Sequence, residues 1–526
     1  MVLIEKGKLV LIIQYLLVVL LVLINSVAHA ITPKDTLVIA YRIDEMITLD
    51  PAAMFEVSAL EYANNTYERL LGYDNKDSSK IVGVVAKDWE VSKDGKSYTF
   101  TIHNDLKFAS GNPLTAEDVV FSLQRTIILN KAPSAILGQF GFTKDNVKTM
   151  IKVISPYVLQ LQVAEVFAPT LVFNCLTNSV TSIVDKREVL AHQINDDLGN
   201  KWLSTNYAGS GPFKLNKWAA NEMLYLEKNP NFKGDVSVNK VIIRHVSESA
   251  TQKLLLERND VDIARNLQPN NLVALNGQIQ LIKYLKNNLI CLCLNQNNKY
   301  LKHREVRQAI KFLIDYQGMR DNLLQDKAEV HQSFVPKGFF AVDNRSPFSF
   351  RLNKAKKLLR QAGLTEGFTI SLDAKNILLA QAIQASLAQA GIKVSIIPGD
   401  SKQVLTKFRE RNYDVILTTW SADYRDPHAN AVSFTNNPDN SEQGTEKTLA
   451  WRAGWDIPEL TKLTMQAAQE LNIAKRKAIY TTLQRQFFTY SPILVLFQER
   501  EVYAVHQQAN FKLGLNSGAR TYTFYY

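Results

Sequence analysis

Three features of the chain have residue types that chemistry could use. Gly95-Lys96-Ser97 resembles the end of a phosphate-cradling loop, in which backbone N–H groups and a lysine hold phosphate oxygens. That loop needs another glycine five positions before Gly95, and the chain has Glu90 there, whose charge repels phosphate. Asp94-Gly95 is better read as a β-turn. Gly209-Ser210-Gly211 sets a serine between glycines, but a nucleophile elbow requires the spacing G-x-S-x-G. The eight histidines include no H-E-x-x-H and no close pair. Carboxylates are abundant, yet no spacing brings two of them together. The chain therefore reads as a binder and not an enzyme. A secreted hydrolase, with a site assembled only in space, is the rival from another class.

The elements that would position a site alternate between strand and helix. Residues 36–40 read as a first strand. From Ser97 to Ile102 apolar and polar residues alternate, the pattern of a half-buried strand. Residues 115–128 read as a helix, with Thr115 as N-cap and Asp118 at the capping-box position. The stretch 368–420 is the most explicit. Phe368, Ile370 and Leu372 alternate as a strand, and an Ala- and Leu-rich helix over 376–390 stops at Gly391. Ile392, Val394 and Ile396 make a second strand, 401–411 a helix, and 413–419 a third strand. Such a β-α-β-α-β run implies a parallel sheet covered on both faces. Ligands of these sheets sit beyond the carboxyl ends of the strands. Here that end carries Trp420-Ser421-Ala422-Asp423-Tyr424. Residues 434–448 read as a polar surface loop.

Bulk properties set further bounds. Lys6 and Lys8, an apolar run over 9–24 and the small residues Ala28 and Ala30 form an export signal, with cleavage expected after Ala30. An uncleaved anchor is the alternative reading. No cysteine follows the run, so no lipoprotein anchor is expected. The length fits about two to four structural units, and no Pro/Gly/Ser linker separates them. The net charge is +11, but Lys and Arg are scattered with no basic run among aromatics. A solvated surface, and not nucleic-acid binding, is the expectation. Cys291 and Cys293 share a strand face and are poorly placed to pair with each other. Cys175 either bridges to one of them or all three are buried thiols.

Residues 85–123 (VAKDWEVSKDGKSYTFTIHNDLKFASGNPLTAEDVVFSL) are similar to the signature of the family 5 bacterial solute-binding proteins, which serve oligopeptide, dipeptide, nickel and related ABC importers. The resemblance continues in order through Tyr67-Glu68-Arg69-Leu70-Leu71, Gly209-Ser210-Gly211-Pro212-Phe213, Asn229-Pro230-Asn231-Phe232, the helix around Val306 to Ile310, the helix around Ala355 to Gly363, and Trp420 to Pro427. It implies an α/β fold with two lobes, of the type II periplasmic-binding-protein kind, and an additional inserted α/β domain. Carried over, lobe I comprises 31–72, 205–282 and 497–526, the inserted domain 73–204, and lobe II 283–496, after a signal peptide over 1–30. It further implies a periplasmic monomer that closes on a short peptide and delivers it to an ABC permease and ATPase complex at the inner membrane.

The resemblance also implies a site. Asp423 corresponds to the carboxylate that accepts a peptide's α-ammonium in peptide-binding relatives. Trp420 and Ser421 flank it, with backbone groups that can pair to an extended peptide. Across the cleft, Phe55, Glu56 and Val57 follow Leu49-Asp50-Pro51, with backbone near Val57 expected to reach the ligand. Two features depart from the peptide-binding pattern. Leu417 stands where some relatives have an arginine for the peptide carboxylate, leaving Arg409 or Arg411 as substitutes. His428 lies where nickel-binding relatives also place histidine, which makes it a weak metal candidate. Nickel, haem or glutathione cargo is the alternative within the family, and a peptide-binding chaperone or receptor the alternative outside importers. No cofactor is expected.

Overall fold

The computed structural model describes residues 35–507 except 75, 76, 78, 274 and 276, together with residue 33 and the segments 514–516 and 519–521. The signal-peptide expectation over 1–30 lies outside the described residues.

The β-α-β-α-β unit forms as its periodicity dictates. Phe368–Ala374 pairs in parallel with Ile392–Pro398 on one side and Val415–Ser421 on the other. Ile377–Ala388 is capped by Asn376, and Gly391 takes the left-handed conformation (φ +84) that ends the connection. Ser401–Arg409 starts at Asp400, which accepts from the backbone N–H of Gln403 while the Gln403 side chain accepts from the backbone N–H of Asp400.

This unit is one end of a larger mixed sheet. Its order is Ile392–Pro398, Phe368–Ala374, Val415–Ser421, Ile279–Leu294, Ile493–His506, Ile263–Ala264, Thr36–Tyr41, Lys240–His245, Met223–Lys228 and Phe213–Ala219. Ala328–Val330 adds to Ile493–His506. The two central strands are antiparallel and long, and they serve both halves of the sheet. Val415–Ser421 pairs with the 288–294 part of one, and Ile263–Ala264 with the 504–505 part of the other. The lobe boundaries expected at 282/283 and 496/497 fall inside these strands.

Their ladder is interrupted where the halves meet. Leu285 pairs with Arg500 and Leu289 with Gln498, so three residues, Lys286 to Asn288, oppose Glu499 alone. Such a bulge bends a strand and weakens its pairing. The buried Gln498 side chain compensates by donating to the Lys286 carbonyl at 2.8 Å and accepting from the Lys337 backbone N–H at 2.8 Å.

A separate four-stranded antiparallel sheet, in the order Ala86–Val91, Ser97–Ile102, Val158–Gln162 and Ile151–Ser155, lies in the 73–204 segment. Tyr98, Phe100 and Ile102 are buried, as their alternation predicts. Helix Ala116–Leu129 packs on this sheet, with the Thr115/Asp118 capping box formed. One apolar core joins Phe100, Phe140 and Leu171 of this unit to Phe334, Phe434 and Phe487 from the other end of the chain. The fold is thus mixed α/β, with two lobes on a shared sheet and an additional smaller unit.

One loop expectation changes, and one alternative is decided. The first residues of the 434–448 stretch, Phe434 to Asn437, are buried. The Asn437 side chain donates to the Trp455 carbonyl at 2.8 Å and the Asn437 backbone N–H to Thr461 Oγ1 at 2.8 Å, so protein groups replace the water that a polar loop normally needs. Cys175, Cys291 and Cys293 are all buried free thiols.

Candidate functional site

A cleft of about 210 Å³ opens at the bulged junction of the two lobes. The bulge itself contributes Lys286, Asn287 and Asn288. One wall holds Val57, Asn64 and Arg69, and the facing loop Ser421 to Arg425 forms another. This is the carboxyl end of strand Val415–Ser421, where parallel sheets place ligands.

The loop after that strand is fixed at nearly every residue. Asn178 donates from its side-chain amide to the Asp423 carbonyl at 2.7 Å. The Tyr424 hydroxyl donates to Gln139 Oε1 at 3.1 Å, and Arg425 Nη2 to the Gly338 carbonyl at 2.8 Å. Asp426 is buried and accepts both Arg476 guanidinium nitrogens at 2.8 Å. What stays without a partner among the described residues is the Asp423 carboxylate. It is reached by solvent in the cleft but surrounded by protein, and this desolvation raises its pKa to about 6. A carboxylate held this way, with no cation paired to it among the described residues, is able to accept a positive group.

The remaining expected site residues divide. Ser421 lines the cleft beside Asp423 and pairs with Asn288 of the bulge. Val57 lines it from the facing side as the first residue of helix Val57–Thr66 and is 41% exposed. Glu56 is that helix's N-cap residue, and its carboxylate accepts from the Phe55 backbone N–H at 3.2 Å. Phe55 is 51% exposed, and neither it nor Glu56 forms the cleft wall. The loop before them is anchored by Asp50, which is buried and accepts bidentately from Arg125 at 2.7 and 2.6 Å. Trp420 turns away from the cleft. Its ring meets Phe434 edge to face at 6.4 Å, and its buried Nε1 has no partner among the described residues.

His428 is buried at the start of helix His428–Phe434, and burial lowers its pKa to about 4, so the ring is neutral at pH 7. No group of three or more His, Cys, Asp or Glu side chains is gathered for a metal among the described residues. Of the two arginines weighed for a carboxylate, Arg409 is exposed at a helix end. Arg411 stacks on Trp451 at 3.6 Å and donates to the Trp451 and Asn440 carbonyls. Neither lines the cleft. Leu417 is buried in the sheet between Leu292 and Ala374.

The cleft includes residues that sequence spacing did not single out as ligand contacts: Arg69, Tyr73, Asn178, Lys286 and Arg425. They come from distant parts of the chain, and no local pattern marks them. Gly209 and Gly211 of the motif are structural, since a Cβ on either would run into the backbone of Thr66. Asn229 donates to the Gly211 carbonyl at 2.8 Å, tying two of the resemblance motifs together, and a Cβ on Gly211 would lie 2.5 Å from the Thr66 carbonyl carbon.

Comparison with known proteins agrees with this fold. The model for "Bacterial extracellular solute-binding proteins, family 5 Middle" matches residues 80–442. The probable D,D-dipeptide-binding periplasmic protein DdpA of Escherichia coli K12 is 28% identical over 512 residues, covering 95% of this chain and 93% of the relative. Among solved structures, the periplasmic binding protein DppA of Helicobacter pylori in complex with peptide STSA aligns with TM-score 0.73 and 23% identity over 92% of this chain and 96% of that one. NikZ from Campylobacter jejuni in complex with Ni(L-His) aligns with TM-score 0.72 and 20% identity over 90% and 94%. These two structures share the fold. With the two-lobed architecture, the cleft at the bulged junction and a family match over most of the chain, the protein belongs to the bacterial extracellular solute-binding proteins of family 5.

Proposed function

We propose that this chain is the extracytoplasmic receptor of an ABC importer, that it captures short peptides between its lobes, and that it hands them to a membrane permease served by an ATPase. The observation that carries the peptide reading is the Asp423 carboxylate, held in the cleft by a loop fixed at nearly every residue and without a paired cation among the described residues. A peptide's α-ammonium supplies the missing charge. Ser421 and Val57 would offer backbone groups to the same ligand. Among the described residues, 418–421 have no strand partner on the side where Phe368–Ala374 covers residues 415–417, so an extended peptide would have backbone groups to pair with there. Trp420 would act by holding the strand end against the aromatic core, and Phe55 and Glu56 by shaping the helix start.

The mechanism is hinge closure. Domain closure uses a few residues at element junctions, and the bulge at Lys286 to Asn288, the larger of two register shifts between the central strands, is where such a hinge would bend. Ligand contacts made only in the closed form shift the balance toward it. Export through the expected signal, cleaved after Ala30, would place the protein in the periplasm, where the relative DdpA is described.

Native mass spectrometry of protein purified without denaturation tests this reading. Masses of bound di- to pentapeptides are expected. Nickel, haem or glutathione adducts without peptide would replace peptide as the cargo, and turnover of peptide into product would indicate a hydrolase.

A further inference from the structure

Leu417 leaves a peptide's carboxylate without the arginine expected from the strand, and Arg409 and Arg411 do not line the cleft. Three other cations do: Arg69, Lys286 and Arg425. Lys286 is already paired with Glu499 at 2.9 Å. Arg425 donates to the Gly338 carbonyl and has further interactions. Arg69 differs. Its Nη1 donates to Asn64 Oδ1 at 2.9 Å, its Nε is buried without a partner, and it has no ion pair among the described residues.

We infer that Arg69 is the receptor for a ligand carboxylate, so that the cleft selects short zwitterions able to reach Asp423 and Arg69 together. This rests on the peptide reading above. The two poles are mechanically joined. Asn64 accepts from both Arg69 and the Ser179 hydroxyl (3.1 Å), and the adjacent Asn178 holds the Asp423 carbonyl. A guanidinium left without a carboxylate in a protein wall is costly unless a ligand supplies one. Burial lowers the Arg69 pKa to about 10 and raises that of the neighbouring Glu68 to about 7, so Glu68 is a weak countercharge at neutral pH. The cleft, at about 210 Å³, is below the roughly 300–1,000 Å³ of sites for drug-sized ligands, which favours the smallest peptides.

The test is calorimetry with L-Ala-L-Leu, D-Ala-D-Ala and Ala-Ala-Ala, each as free acid and as C-terminal amide, on protein stripped of ligand. For wild type, amidation is expected to weaken binding about 100-fold, the scale of one bidentate charged contact. Arg69→Gln is expected to weaken the free acids about as much and to bind the amides within about threefold of wild type. Should that variant not fold, Arg69→Lys is expected to cut the acid-over-amide preference about tenfold, because a point charge replaces a fork. Arg425→Gln is expected to keep the preference. Equal binding of acid and amide by wild type, a full preference in the Arg69 variants, or loss of preference only in Arg425→Gln overturns the role of Arg69 and leaves the peptide reading standing. Failure of every probe, acid and amide alike, removes the peptide reading and this inference with it.

Discussion

The side-chain amide of Asn178 donates to the backbone carbonyl of Asp423 at 2.7 Å, joining residues 245 positions apart across the mouth of the cleft. The bond fixes the backbone that carries the candidate ammonium receptor while leaving its carboxylate free. Because it ties the 73–204 unit to the loop after Val415–Ser421, Asn178→Ala is expected to shift the lobes toward the open state. An ordinary hydrogen bond contributes about 1 kcal/mol, so peptide affinity should fall about five- to tenfold. Calorimetry with small-angle scattering, showing a larger ligand-free radius, checks both halves.

Asp423→Asn removes the only unpaired carboxylate of the pinned loop. Affinity for free-amine peptides should fall by about two orders of magnitude, since a buried ammonium loses its partner. N-acetylated peptides should lose similar affinity for wild type and little more for the variant. Unchanged binding in both experiments takes Asp423 out of the site.

The raised pKa of Asp423 sets a pH dependence. An ammonium binds the carboxylate form, so affinity should be full above about pH 7. It should fall as pH drops through about 6, approaching tenfold per unit below. Without ligand the sign is opposite for stability. A carboxyl whose folded pKa lies above its unfolded value of 3.8 works against the folded state as pH rises between them. Ligand-free Asp423→Asn should therefore melt slightly higher than wild type at pH 7.5 and equally at pH 4, the effect being small because the group is partly solvated.

Arg476 and Asp426 form a buried bidentate pair directly behind the ligand loop. Arg476→Met leaves Asp426 without its countercharge and should cost about 3–5 kcal/mol in urea unfolding. Peptide affinity should fall as well, because Asp426 also accepts from the His428 backbone N–H at 2.9 Å and so sets the loop's exit.

Lys311 is buried with no carboxylate. Its ammonium donates to the Phe488 carbonyl at 2.9 Å, and burial, with Arg307 and Arg304 nearby, pushes its pKa well down. A lysine with a depressed folded pKa costs stability below its unfolded pKa of 10.5. Lys311→Met should thus stabilise the protein by about 1–3 kcal/mol at pH 7 and by less at pH 10, by denaturant titration. The Phe488 carbonyl retains Gln308 Nε2 at 3.3 Å.

Local chemistry made much of this molecule readable from its residues. Period-two alternation over 97–102 and 368–372, the Thr115 cap and the stop at left-handed Gly391 depend on neighbours within a few positions, and each forms as those neighbours require. Family resemblance added the two-lobed fold and pointed to Asp423. Tertiary structure decided the rest. The family resemblance implies two chain crossings between lobes, but only hydrogen bonding between Ile279–Leu294 and Ile493–His506 makes them one sheet with a bulge at its centre. Trp420 and Ser421 are adjacent in the chain, yet strand pleat sends one into the aromatic core and the other to the cleft. Arg69 is one arginine among many until folding removes its water and leaves its Nε without a partner among the described residues. Pairing, desolvation and the absence of a partner are properties of distant surfaces brought together, and no local spacing encodes them.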